Sequence, residues 1–263
     1  MENLRKVLNK IIVFMCFTAM FTVSGCDARS SEILVSANDK VDYSYLSYKI
    51  KSNTAKTYSE RISRDSAVQI RIEYAQASIR GSGTYFKFKG HTMVVTAAHL
   101  YALGGAQVLQ SEALIVTPHE KVVGKLVYFD HITDLAIFKV PTLDSRKAAK
   151  FKRTSSYEVG SEVVYSGFPG ANNLLTIPGK LSGEGFGTDI AMHSFAWGGS
   201  SGSGVFDNEG KFVGVVVSIM VGRGFLGPQL VGSVVYIAPA NLIDTVYLRQ
   251  NLDKLEVVKN EGF

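Results

Sequence analysis

From residue 67 to residue 238 the chain is a succession of short runs rich in Val, Ile, Tyr and Phe, broken only by brief stretches of turn chemistry. The runs are "AVQIRI" (67–72), "TYFKFKG" (84–90), "TMVVTA" (92–97), "QVLQSEALIVT" (107–117), "KVVGKLVYF" (121–129), "LAIFKV" (135–140), "EVVYSGF" (162–168), "NLLTIPGKLSG" (173–183), "KFVGVVVSIM" (211–220) and "GSVVYIA" (232–238). Branched and aromatic side chains suit a pleated, half-buried surface, and breaks such as "KGH", "PG" and "NEGK" reverse the chain between strands. Many short strands with little helix between them point to an all-β barrel or sandwich. One helix is expected near the end, over "NLIDTVYLRQNL" (241–252), with Asn241 as N-cap and Leu242, Val246 and Tyr247 on one face. With 263 residues, 46% of them hydrophobic, the chain can bury a full core. We place the main domain at 67–252 and a tail at 253–263. The 25 residues after Ala238 are too few for a second domain.

Upstream of the strands the composition changes. Residues 26–66 are polar and rich in Ser, Lys, Asp, Asn and Tyr, and read as a tether followed by an N-terminal segment. Forty flexible residues would reach on the order of 35 Å root-mean-square. Before them, residues 1–25 have the layout of a secretory signal: a basic start, "MENLRKVLNK", then the apolar run "IIVFMCFTAMFTVSG". That run is too short for a comfortable membrane span. "VSGC", ending in Cys26, resembles the bacterial lipobox, in which the cysteine is acylated and becomes the new N-terminus. The resemblance implies an exported protein held on the membrane of a bacterial envelope by a lipid. An uncleaved anchor helix, or an ordinary signal in which Cys26 is incidental, is the competing reading. The only other cysteine, Cys16, lies in the leader, so the exported chain would fold without a disulfide.

The net charge of +5 could suggest an anionic partner, but Lys and Arg are scattered singly, and two of the five charges belong to the leader. No nucleic-acid partner is expected. No His, Cys, Asp and Glu cluster has metal-ligand spacing, so neither a metal nor another cofactor is expected.

Three segments carry chemistry, in the order His, Asp, Ser. In "GSGTYFKFKGHTMVVTAAHL" a strand ends in small residues before His99. In "DHITDLAIFKV" Asp134 directly precedes an apolar strand. "AWGGSSGSGVF", Ala196 to Phe206, holds four glycines and three serines between apolar runs. Taken singly, each is more simply a packed histidine, a turn residue or a surface loop. Together, "TAAH", "DLA" after an acidic turn and "G-x-S-G" before an apolar strand resemble the trypsin/chymotrypsin superfamily of serine proteases. "GFPG" (167–170) resembles a segment of the bacterial Deg/HtrA-type branch, "GSSGSGVFDNEGKFVGV" is similar to both that branch and the glutamyl endopeptidases, and the likeness covers about 81–238.

The resemblance implies two six-stranded antiparallel β-barrels with the site in the cleft between them. It implies a serine endopeptidase acting on protein or peptide substrates, with His99 as base, Asp134 as its orienting acid and Ser201 as nucleophile. The residue types suit that chemistry, since a serine hydroxyl needs an adjacent base and glycines allow a sharp turn. The backbone N–H groups of Gly199 and Ser201 would form the oxyanion hole. Ser203 also lies between glycines but does not fit the family's pattern. Asp130 is read as a turn residue, and His91, His119, His131 and His193 as surface or turn residues.

The same resemblance implies a substrate pocket between the segments 194–198 and 214–220, with Phe195, Val216 and Val217 on its walls. Neither segment holds a charged residue, so cleavage after small or medium apolar residues is expected. Arg223, just beyond, could instead favour an acidic residue. Two departures from the family stand out: Ser200 where many members carry Asp, and Gly204 where many carry Pro. A protease-fold scaffolding or binding lipoprotein without turnover is the rival reading.

Overall fold

The structure, a computed structural model, describes residues 55–73, 78–101, 112–151, 157–171, 173–224 and 227–260. The leader, Cys26 and the tether up to residue 54 lie outside the described residues. Both barrels described below belong to one compact unit, Lys56–Phe263.

The first barrel uses β1 (Ala67–Glu73), β2 (Ser78–Phe88), β3 (His91–Ala97), β4 (Glu112–Val116), β5 (Lys121–Asp130) and β6 (Leu135–Lys139). Their antiparallel order is β1-β4-β5-β6-β3-β2, and β2 pairs back to β1 with Ala67 opposite Thr84, closing the sheet. A two-residue strand, β7 (Ala149–Lys150), adds in parallel to β2. The second barrel uses β8 (Glu162–Gly167), β9 (Leu175–Glu184), β10 (Ile190–His193), β11 (Gly204–Asp207), β12 (Phe212–Gly224) and β13 (Gly227–Pro239), closed in the order β10-β13-β12-β11-β8-β9. Closure pairs the six barrel strands of each sheet and leaves only the two-residue β7 as an edge among the described residues, which limits the main hazard of a chain this rich in β-branched residues. Strands at the centre are buried on both faces: every residue from Met93 to Ala97 is covered. The two-barrel expectation is met.

Two helices frame the barrels. The polar segment ahead of the first strand yields at Tyr58 to α1 (Tyr58–Ser66), a helix not among the expected elements. A capping box starts it: Thr57 Oγ1 accepts the Glu60 N–H at 3.1 Å, and Glu60 Oε2 accepts the Thr57 N–H at 2.9 Å. Its buried face is made of serines rather than apolar residues. Ser59 Oγ donates to the Asp207 carbonyl at 2.6 Å and Ser63 Oγ to Ser166 Oγ at 2.9 Å, seating the helix on the second barrel. The chain then runs directly into β1 of the first barrel.

At the other end, α2 spans Thr245–Asn260, later than the expected 241–252 and through much of the expected tail. Ala240–Leu242 form a 3-10 turn, Ile243 is extended, and Asp244 rather than Asn241 caps the helix, accepting the N–H groups of Val246 at 2.9 Å and Tyr247 at 3.0 Å. The later start rotates the buried face. Leu248 and Leu252 enter the core, while Val246 and Tyr247, expected on the packed face, are exposed.

Candidate active site

β3 ends in buried small residues, and Ala98–Tyr101 turn into a short 3-10 helix that places His99 at the barrel rim. The turn between β5 and β6 brings Asp134 against it. Three bonds join the two turns. The Ala98 N–H donates to the Asp134 carbonyl at 3.0 Å, the His99 N–H donates to Asp134 Oδ1 at 2.6 Å, and His99 Nδ1 meets Asp134 Oδ2 at 2.7 Å. Asp134 adopts φ +57°, a left-handed conformation that Asp tolerates better than most side chains. An ionised carboxylate only accepts, so Nδ1 carries a proton and, in the neutral ring, Nε2 is the basic nitrogen. Asp130 is engaged in its own turn, accepting from the Ile132 N–H at 2.8 Å and from Thr133 Oγ1 at 2.8 Å. His119, His131 and His193 are exposed on turns or a strand end, and His91 begins β3.

The glycine-rich stretch is a tight, ordered loop. Gly199 has φ +97°, and a β-carbon there would lie 2.5 Å from the Phe168 carbonyl oxygen. Gly202 has φ +91°, with a hypothetical β-carbon 1.9 Å from the Ser82 carbonyl oxygen. Neither position accepts a side chain. Within the loop the N–H groups of Ser200, Gly202 and Ser203 donate to the carbonyls of Trp197 (2.8 Å), Val216 (2.8 Å) and Ser200 (3.0 Å). No carbonyl of the described residues takes the Gly199 or Ser201 N–H.

The direction of those two amides follows from their own peptide planes. The Gly198 carbonyl is held by the Gly170 N–H at 2.7 Å, and the Ser200 carbonyl by the Ser203 N–H at 3.0 Å. All peptide bonds are trans. In a planar trans peptide C=O and N–H point opposite ways, so the Gly199 and Ser201 amides face away from Gly170 and Ser203. Two unengaged N–H donors beside a serine can receive the charge that develops on an attacked carbonyl oxygen.

Contacts between the barrels bring the loop to the histidine. The Ser82 N–H on β2 donates to the Ser201 carbonyl at 2.8 Å. A β-carbon on the adjacent Gly81 would meet Leu100 Cδ1 at 2.5 Å and the Ser201 carbonyl at 3.2 Å, so the His99 turn and Ser201 flank one residue. Ser203 lies against Gly167 at the end of β8. Its hydroxyl is buried with no hydrogen-bond partner among the described residues, and a β-carbon on Gly167 would lie 2.1 Å from it.

Several residues that matter here escape sequence reasoning. Ser82 Oγ donates to the Gly199 carbonyl at 2.7 Å and accepts the Phe168 N–H at 3.0 Å. Thr84 Oγ1 accepts the Gly204 N–H at 2.8 Å. Ser200 Oγ accepts the Trp197 N–H at 3.2 Å. It also lies 3.5 Å from the Tyr165 hydroxyl, which donates to the Phe195 carbonyl. Burial pushes the Tyr165 hydroxyl up to about 12, so it stays a donor across the neutral range. The signal that was available is "GSG" at 81–83, small residues where two barrels meet.

The three expected pocket residues sit differently from one another. Phe195 is 53% exposed, with Trp197 beside it at 44%. Val216 is buried, and its backbone holds the loop, taking the Gly202 N–H and donating to the Ser203 carbonyl at 2.9 Å. Val217 packs in the main core cluster. The Arg223 side chain lies outside the described residues.

A family model described as trypsin-like peptidase domain matches residues 81–215, about half of the chain. Among solved structures, the chain is similar to the serine endoprotease from Yersinia pestis, at 18% identity over 76% of this chain and 69% of that one, with a TM-score of 0.56. It is similar to the HtrA-type protease AlgW, solved with a tripeptide, at 18% identity and a TM-score of 0.55 over 69% of this chain, and spans 58% of the AlgW chain. It is also similar to the active form of the Rv3671c protease from M. tuberculosis, at 19% identity over 73% of this chain and 81% of that one, with a TM-score of 0.51. At these identities the likeness is one of fold.

Proposed function

The chain belongs to the trypsin-like peptidase family, and from that premise we propose that it is a serine endopeptidase using His99, Asp134 and Ser201. The observation that carries this reading is the two-point grip of one carboxylate on the His99 backbone N–H and on Nδ1, at 2.6 and 2.7 Å. It holds the ring in the tautomer that a general base needs.

In the proposed reaction Ser201 Oγ attacks the scissile carbonyl carbon as its proton passes to His99 Nε2. The carbonyl π pair moves onto oxygen, which the Gly199 and Ser201 N–H groups receive. Collapse of the tetrahedral species breaks the C–N bond, and the imidazolium protonates the departing amine. Water then repeats the sequence on the acyl-enzyme and frees Ser201. Asp134 stays ionised throughout and stabilises the imidazolium.

For the setting, we take Cys26 as the lipidated N-terminus of an exported, envelope-bound protein, a reading supported by the leader's charge layout and by "VSGC". Its substrates are then protein or peptide chains within reach of that membrane. Incubating the purified protein with an unfolded protein substrate tests the activity. Wild type is expected to cut internal peptide bonds and Ser201→Ala to leave the substrate intact. Equal cutting by both would overturn the assignment.

A further inference from the structure

The nucleophile loop belongs to the second barrel, yet two of its carbonyls are held by a single residue of the first. Ser82 on β2 donates its N–H to the Ser201 carbonyl at 2.8 Å and its hydroxyl to the Gly199 carbonyl at 2.7 Å. The same hydroxyl accepts the Phe168 N–H at 3.0 Å, and Phe168 leads into the turn whose Gly170 N–H holds the Gly198 carbonyl at 2.7 Å. A serine hydroxyl has one proton to donate, and here it goes to Gly199. Ser82 is fully buried, so no water competes for these bonds.

Why the loop needs this is visible in its own sequence. Gly198 and Gly199 are adjacent and carry no side chain to lock the backbone, so rotation of the peptide between them is sterically easy. That peptide carries one of the two N–H groups assigned to the oxyanion. We infer that Ser82 is a positioning residue for the oxyanion hole: its hydroxyl fixes the next peptide through the Gly199 carbonyl and, by accepting the Phe168 N–H, holds the turn whose Gly170 N–H grips the Gly198 carbonyl, and so keeps the Gly199 N–H facing the substrate. This rests on the endopeptidase reading above. The role is exerted through Gly199, and Ser82 itself touches no reacting atom.

A residue acting this way contributes to the transition state and little to substrate binding, because the oxyanion exists only after attack. In Ser82→Ala, kcat for a peptide substrate is expected to fall roughly 10- to 100-fold. That is less than the 10²- to 10³-fold typical when a donor is removed outright. KM should stay within about threefold, as expected when only transition-state contacts are lost. The pH dependence of kcat/KM should be unchanged, since His99 and Asp134 are untouched. A peptide aldehyde gives an independent readout. Ser201 Oγ adds to its carbonyl carbon as its proton passes to His99 Nε2 and the π pair moves to oxygen, so its inhibition constant should weaken in step with kcat.

Ser82→Cys keeps a side chain of similar size with a weaker donor and acceptor, and should fall between wild type and Ser82→Ala. It also reads the effect if Ser82→Ala does not fold. Wild-type kcat in folded Ser82→Ala or Ser82→Cys would overturn the inference, as would a loss confined to KM or to melting temperature. Those results would leave the endopeptidase reading standing. Absence of turnover in the wild type would take down both.

Discussion

Asp134 has two tasks at once, closing a turn in a left-handed conformation and presenting both carboxylate oxygens to one histidine. Asp130, four residues earlier, spends its oxygens on its own turn. The two acids therefore separate cleanly in a mutational test. Asp134→Asn should lower kcat on the order of 10⁴-fold, because an amide no longer enforces the tautomer with Nδ1–H. Asp130→Asn keeps an acceptor for the Ile132 N–H and should change kcat little. Equal losses in the two variants would contradict the assignment. No alkaline loss is expected from Tyr165, whose hydroxyl, pushed up to about 12 by burial, holds its proton well past neutrality. Gly202→Ala tests the loop itself. Its β-carbon would fall 1.9 Å from the Ser82 carbonyl at φ +91°, so we expect activity to vanish together with much of the stability, measured as a lower urea midpoint.

Most strands of both barrels are legible in the chain because β-branched and aromatic residues and turn chemistry mark them, but the short β7 and β10 fall outside every expected run, being only two and four residues long. The helices were not equally legible. α1 buries Ser59, Ser63 and Ser66 and is seated by hydrogen bonds, with Ile62 packed against the core; its one plain mark in the chain is the Thr57–Glu60 capping box, set in a polar stretch. α2 was expected four residues early because Asn241 and Asp244 are both good caps and only packing chooses between them. At the site, the histidine, aspartate and serine are legible as residue types in order, while Ser82, Thr84 and Tyr165 are not. Their roles depend on bonds between barrels that no local pattern encodes. The capping box of α1 makes its own prediction. Thr57→Ala should cost about 0.5–2 kcal/mol in urea unfolding. The Glu60 carboxyl is held below its usual range, first by the Thr57 N–H. A depressed acid stabilises above its unfolded pKa and loses that contribution as pH falls through the folded value. The difference between wild type and Glu60→Gln should therefore be present at neutral pH and shrink below the ordinary carboxylate range. A difference that grows on acidification would contradict it.

At the scale of the whole molecule, two closed barrels meet along Gly81 to Thr84 and the nucleophile loop, and α1 runs from one barrel's surface into the other's first strand. The uncharged segments 194–198 and 214–220 set the expected specificity. Peptide-library profiling should show cleavage after small or medium apolar residues, and a dominant Lys, Arg or Glu before the cut would contradict it. If Cys26 carries the anchor, the protein should partition with membranes. Cys26→Ser should release it or leave the precursor uncleaved, and a soluble wild-type species whose mass starts at another residue would refute the anchor. All of this depends on one activated hydroxyl. A fluorophosphonate reacts with a serine only where a base and an oxyanion site activate it, so peptide mapping of the labelled wild-type protein by mass spectrometry is the most direct test. We expect one adduct per chain, on Ser201, lost in His99→Ala. A protein that takes no label, or takes it on Ser200 or Ser203, would contradict the account.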